Sequence, residues 1–146
     1  MKIATGNDHA ALEVRSLVTR VIRDLGHEAV DFGTTDDRSV DYPDFALPVA
    51  LAVRKGDADF GILVCGTGIG MSMAANKVGG IRAALCHSEM TARMARQHND
   101  AQILCLGARV LDADTIETCI RTFLTTDFEG GRHARRVAKI MAMEGR

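Results

Sequence analysis

Gly61-Ile62-Leu63-Val64-Cys65-Gly66-Thr67-Gly68-Ile69-Gly70 is the stretch that decides the fold. Residues 60–65 are apolar throughout rather than alternating, the pattern of a central parallel strand covered on both faces. Glycines at 66, 68 and 70 then turn the chain tightly, and the spacing predicts a helix over 68–77. Strand, turn and helix in that order open a βαβ unit, and the same alternation continues outward in both directions. Lys2–Gly6, Glu28–Phe32, Ile81–Cys86 and Ile103–Leu106 read as four further strands. Val14, Leu17, Val18, Val21, Ile22 and Leu25 share one face of a helix that Gly26 stops. Other helices are expected over about 43–55, 88–97, 112–124 and 132–143. Pro43 suits a first turn, Pro48 weakens the middle of its segment, and Asp112 is placed to cap. The expected fold is α/β: a three-layer α/β/α sandwich on a Rossmann-like five-stranded parallel sheet. One domain spanning 1–146 is expected, for no linker, repeat or low-complexity segment divides the chain.

Composition narrows the function. The 146 residues carry 18 Lys plus Arg against 19 Asp plus Glu, a net charge of -1, which excludes a generally basic nucleic-acid binder. Trp is absent and there is one Tyr, so base-stacking platforms are not expected. No apolar run reaches the length of a membrane span. The N-terminus reads as a strand rather than a signal peptide, giving a cytoplasmic address as the expectation. Cys65, Cys86, Cys105 and Cys119 form no C-x-x-C pair. Cys86, Cys105 and Cys119 lie in apolar or helical patterns and read as small buried hydrophobes in a reducing compartment.

Ligands of parallel sheets bind beyond the carboxyl ends of the strands. After the third strand, the glycines present backbone N–H groups to one point, and a helix start adds its positive end. Met71 stands where a dinucleotide fingerprint needs glycine, and no Gly-Lys-Ser/Thr follows. The cradle suits a bound phosphate or a developing oxyanion. Cys65 at its mouth is placed to act as a thiolate, as nucleophile or as base. Asp8 and His9 follow the first strand, where Asp8 reads as a helix cap or, with His9, as an anion contact. Arg109 follows the fifth strand. Arg132 and Arg136 share a helical face after Gly130-Gly131, suited to gripping a phosphate.

These segments together resemble the type B ribose-5-phosphate isomerases, the group that includes allose-6-phosphate isomerase and the galactose-6-phosphate isomerase subunits. The resemblance runs through Gly6-x-Asp8-His9, Asp41-Tyr42-Pro43, residues 61–70, Ala74-Ala75-Asn76-Lys77, Gly80-Ile81-Arg82-Ala83, Arg96-Gln97-His98-Asn99-Asp100, Gly107-Ala108-Arg109-Val110 and Glu129-Gly130-Gly131-Arg132-His133. It implies an aldose–ketose isomerase interconverting ribose 5-phosphate and ribulose 5-phosphate with no metal and no cofactor. Cys65 matches the base of the cysteine branch, and Ile69 to Met71 lack the carboxylate of the other branch. His98 matches the residue assisting ring opening, and Thr67 a hydroxyl-proton relay. The cradle of Gly66, Thr67, Gly68, Ile69 and Gly70 matches the enediolate-stabilising loop. Asp8, His9, Tyr42 and Asn99 match sugar contacts, and Arg109, Arg132 and Arg136 phosphate and substrate contacts. Ala11 departs from the glycine many members carry there. Rival readings are an isomerase of another aldose phosphate, with His133 and the 33–40 loop setting the choice, and a non-catalytic phosphate- or nucleotide-binding module.

Topology adds one expectation. Cys65 and Asp8 directly follow strands, whereas His98 and Asn99 precede one. A strand of five or six residues spans roughly 17–20 Å, so the two groups belong at opposite edges of the sheet. A homodimer, or a dimer of dimers, with shared active sites is therefore expected, as the resemblance also implies.

Overall fold

Five strands pair in parallel in the order β2-β1-β3-β5-β4: Lys2–Asn7 (β1), Glu28–Asp31 (β2), Phe60–Cys65 (β3), Ala83–Leu85 (β4) and Ile103–Gly107 (β5). The computed structural model describes residues 1–145. Its helices are Leu12–Asp24 (α1), Pro43–Lys55 (α2), Ile69–Ala75 (α3), Glu89–Gln97 (α4), Ala113–Thr125 (α5) and Arg132–Met141 (α6), and a 3-10 turn over His9–Ala11 leads into α1. The expected three layers are present. Ile3, Ile62, Val64, Leu104 and Leu106 pack with residues of α1, α4 and α5, among them Ile22, Ala92 and Phe123. The alternate residues Ala4, Leu63, Cys65, Ile103 and Cys105 pack with Val49 and Ala50 of α2 and Met71 of α3. Side chains of a strand alternate between faces, and here both faces are covered, so β3 reads as one apolar run. Burying Ile62 and Leu63 completely contributes about 1.5–3 kcal/mol each.

Several boundaries depart from the sequence expectation for identifiable reasons. β4 is only three residues long instead of spanning 81–86, because it lies at the sheet edge. The amide of Arg82 donates to the Gln102 side chain rather than to a ladder carbonyl. α3 stops at Ala75 because Asn76 turns back. Its side-chain amide donates to the carbonyls of Ser72 and Ala83, and its Oδ1 accepts from the Ala83 amide. α2 runs unbroken through Pro48. The proline leaves the Asp44 carbonyl without its helical donor, but Asp44 is exposed and water can serve it. Asp112 caps α5 as expected, accepting from the Thr115 amide at 2.8 Å.

α6 stands apart from both layers. His133 is its only buried residue, while Ile140 and, just beyond the helix, Met143 are exposed. No helix among the described residues is long and apolar enough to cross a membrane.

Candidate active site

At the carboxyl edge, β3 ends in Cys65 and pairs there with Gly107 of β5. Gly68 adopts a left-handed φ of +78°, which aims its amide back at the strand. That N–H donates to Cys65 Sγ at 3.2 Å. The Ile69 amide donates to Thr67 Oγ1 at 3.3 Å, and Thr67 itself is exposed. Gly70 and Met71, in the first turn of α3, have no intrahelical acceptor for their amides. The arrangement is a buried sulfur held by one amide, beside amides that can receive negative charge from a substrate.

The neighbours converge from separate elements. The Tyr42 ring lies against Gly70, where a Cβ would meet ring carbons at 2.5–2.9 Å. The Arg109 side chain lies beside Gly66 at ordinary contact distance, 3.4 Å from an added Cβ, and the Arg109 amide donates to the Gly66 carbonyl. Asp8 is buried and caps the 3-10 turn through the Ala10 amide at 3.0 Å. The Val40 amide donates to His9 Nδ1 at 3.2 Å, tying His9 to the 33–40 loop. A neutral His9 therefore carries its proton on Nε2.

Gly107 stands in a quoted sequence motif but was given no role there. An added Cβ would lie 2.6 Å from the backbone carbon and oxygen of Thr67. A glycine at a strand end signals such a close backbone approach. Backbone cannot swing away, so Gly107→Ala should push the cradle out of place. An overpacking cost of about 1–3 kcal/mol should lower Tm by roughly 2–10 °C. Steady-state assays should show kcat reduced about tenfold or more; a variant with wild-type kcat would mean that the cradle tolerates the shift.

The other cysteines behave as read. All four are free and buried. Burial pushes the Cys86 thiol up to about 12, and burial likewise raises Cys105 and Cys119. Among the four, Cys65 alone ends a strand at the cradle.

A second cluster lies at the amino edge. His98 caps the C-terminus of α4, and residues 99–102 lead into β5, whose Ile103 sits opposite Gly61 near the start of β3. β5 takes four residue steps from Ile103 to Gly107, roughly 13 Å at about 3.3 Å per residue. His98 and Cys65 of one chain thus lie toward opposite edges of the sheet. α6 starts beside His98: the His98 and His133 rings stack with centroids 4.1 Å apart and planes 10° from parallel. The Glu129 amide donates to the Gln97 carbonyl, docking the turn before α6 onto α4. His133 Nε2 is buried and lies 3.4 Å from Glu129 Oε2. Burial, His98 and Arg132 push the His133 imidazole below its ordinary range, with Arg136 adding to them and Glu129 opposing. Arg132, Arg136, His98 and exposed Asn99 therefore belong to this cluster, whereas Arg109 belongs to the other.

Donor atoms of His98, Glu129 and His133 lie within 4.8 Å of one another. An imidazole binds a metal in its ring plane, and two stacked parallel planes do not meet at one ion. As arranged, the three residues do not form a metal site.

A family model described as Ribose/Galactose Isomerase matches residues 3–140. Ribose-5-phosphate isomerase B of Escherichia coli is 43% identical over 145 residues, covering 99% of this chain and 97% of that one. The solved ribose-5-phosphate isomerase B of Clostridium thermocellum superposes with a TM-score of 0.96 at 51% identity, covering 99% of this chain and 97% of that chain. The Mycoplasma genitalium enzyme, crystallised with bound ribulose 5-phosphate, superposes with a TM-score of 0.93 at 43% identity over 98% of this chain and 95% of that chain. An extended strand-end cradle with a cysteine at its mouth, on a fold matched along nearly its whole length, places this chain in the ribose/galactose isomerase family, as an isomerase of the type B ribose-5-phosphate isomerase group.

Proposed function

We propose that the chain interconverts ribose 5-phosphate and ribulose 5-phosphate, with 1–146 acting as one domain in the cytoplasm and as a homodimer. The observation that carries this reading is the position of Cys65, buried at the mouth of the 66–70 cradle with Gly68 N–H on its sulfur. His98 shuttles the proton from the anomeric hydroxyl to the ring oxygen as the C1–O4 bond breaks, giving the open aldehyde. The Cys65 thiolate takes the C2 proton. The electron pair forms the C1–C2 double bond, and the charge that develops on O1 meets the amides of the cradle. Thr67 relays the proton from O2 to O1. The Cys65 thiol then returns its proton to C1 as C2 becomes the ketone. Asp8, His9 and Tyr42 hold the sugar beside Cys65, and Arg109 contacts it from the same edge. Asn99, Arg132 and Arg136 come with His98 from the other chain. Incubation with ribose 5-phosphate, allose 6-phosphate and galactose 6-phosphate, followed by ketose detection, tests the reading. Turnover should be greatest on ribose 5-phosphate; greater turnover on a hexose phosphate moves the chain to another substrate, and none on any of them leaves a binding module.

The phosphate grip gives a separate expectation. Arg132 and Arg136 are one helical turn apart and exposed on α6. Losing a hydrogen bond to a charged group costs about 1.5–3 kcal/mol, so Arg132→Ala should raise KM roughly 10–100-fold with a smaller change in kcat. An Arg132→Ala/Arg136→Ala double variant that binds inorganic phosphate and substrate like the wild type removes both from the phosphate site.

A further inference from the structure

We propose that Asp100 is a positioning residue, its carboxylate set between Arg82 and Arg96 so that the 97–101 turn presents His98 in one fixed arrangement. The inference rests on the reading of His98 given above.

Asp100 is the only non-glycine residue with a positive φ among the described residues, at +45°. Glycine adopts that conformation with least strain, and asparagine tolerates it well. What aspartate brings instead is its charge. Arg96 Nη1 donates to Asp100 Oδ1 at 2.8 Å, and Arg82 Nη2 lies 3.3 Å from Oδ2. The same two guanidinium groups take up three consecutive carbonyls of the turn. Arg82 Nε donates to Asn99 O at 3.0 Å and its Nη2 to Asp100 O at 2.7 Å, while Arg96 Nη1 donates to Ala101 O at 2.7 Å. Two cations converging on one short turn need an anion between them, and Asp100 supplies it.

Arg96 gives the turn a rigid reference. It is buried, and its guanidinium lies over the rings of Phe60, at 4.7 Å, and Phe123, at 5.7 Å. Phe60 begins β3, so the turn is registered against the same strand that ends in Cys65. Arg82 reaches the other way, its Nη1 approaching Met141 Sδ of α6 at 3.1 Å. One carboxylate thus ties together the core, the His98 turn and the helix that carries Arg132 and Arg136.

The test separates positioning from general damage by choosing the direction of reaction. Ribulose 5-phosphate has its C5 hydroxyl esterified and no furanose ring to open. Exchange of its C1 hydrogen with deuterium oxide therefore needs Cys65 but not ring opening. Asp100→Gly keeps the φ and loses the carboxylate. It should lower kcat on ribose 5-phosphate about tenfold or more with KM within about threefold, and leave the exchange within about threefold of wild type. In a His98→Ala background the same substitution should cost nothing further, because a residue that acts through His98 has nothing left to position. Asp100→Asn, which keeps shape and φ without charge, should shift in the same direction, and it decides the matter if the glycine variant fails to fold. Wild-type kcat in a folded Asp100 variant, exchange falling in parallel with turnover, or full additivity with His98→Ala each overturns the proposal. Wild-type turnover by His98→Ala alone is a different result: it sinks the reading of His98, and the positioning role falls with it.

Discussion

Cys65→Ala should lower kcat roughly 10²–10⁴-fold, the range that one general base contributes, while ribose 5-phosphate still binds. The side chain removed is small and lies at the end of β3, so the loss is chemical rather than structural. The cradle glycines, Tyr42 and Arg109 keep their places, and calorimetry should give a substrate affinity within a few-fold of wild type. The same thiolate takes the proton from C2 in one direction and from C1 in the other. Deuterium exchange into ribulose 5-phosphate should therefore collapse together with turnover, unlike the pattern expected for Asp100. A thiol-alkylating reagent should inactivate the wild type by modifying Cys65, which alone of the four stands at the mouth of the cradle, while burial pushes the thiols of Cys86, Cys105 and Cys119 up. Substrate should protect. Near-normal turnover by Cys65→Ala would end the assignment of the base.

Mixing two dead variants should restore activity. Homodimers of Cys65→Ala and of His98→Ala are each expected to be nearly inactive. Refolded together in equal amounts, they should recover about a quarter of wild-type specific activity, since random pairing makes half of the dimers mixed and each mixed dimer carries one intact site of two. The expectation follows from the sheet: Cys65 sits opposite Gly107 at the carboxyl end, and His98 precedes Ile103 at the amino end. Verified mixed dimers that stay dead would place both residues in one site of one chain and rule out the shared arrangement.

Much of the layering was legible because burial leaves a periodic trace. The unbroken apolar run at 60–65 announces a strand covered on both faces, and the spacing from Val14 to Leu25 announces a helix covered on one. The carboxyl-edge half of the candidate site was legible for a related reason: in a parallel sheet, whatever directly follows a strand shares one edge with its counterparts. The position of β5 between β3 and β4 was not legible, for pairing partners leave no mark in local pattern. That placement also explains the short β4, an edge strand with half its surface open. Asp100 and its two arginines stand inside quoted motifs but drew no role, because Arg82 and Asp100 meet only across the sheet end. The Arg96–Asp100 spacing of four along the chain was the one local signal available. α6 was recognised as a helix, yet its docking through the His98–His133 stack depends on a contact between distant segments.

The strand order also has a consequence for how the chain is made. Synthesis proceeds from the N-terminus, so β1, β2 and β3 leave the ribosome before the strand that must lie beside β3. β4 emerges next but has no partner, since its only neighbour in the sheet is β5. Until residues 103–107 arrive, one side of Phe60–Cys65 stands as an open, wholly apolar edge, the kind that recruits other nascent chains. Insertion of β5 then closes that edge and captures β4 in the same event. The last interior strand to be translated is thus the one that ends the chain's most aggregation-exposed interval, and substitutions that slow its docking should reduce soluble yield before they reduce the stability of the finished fold.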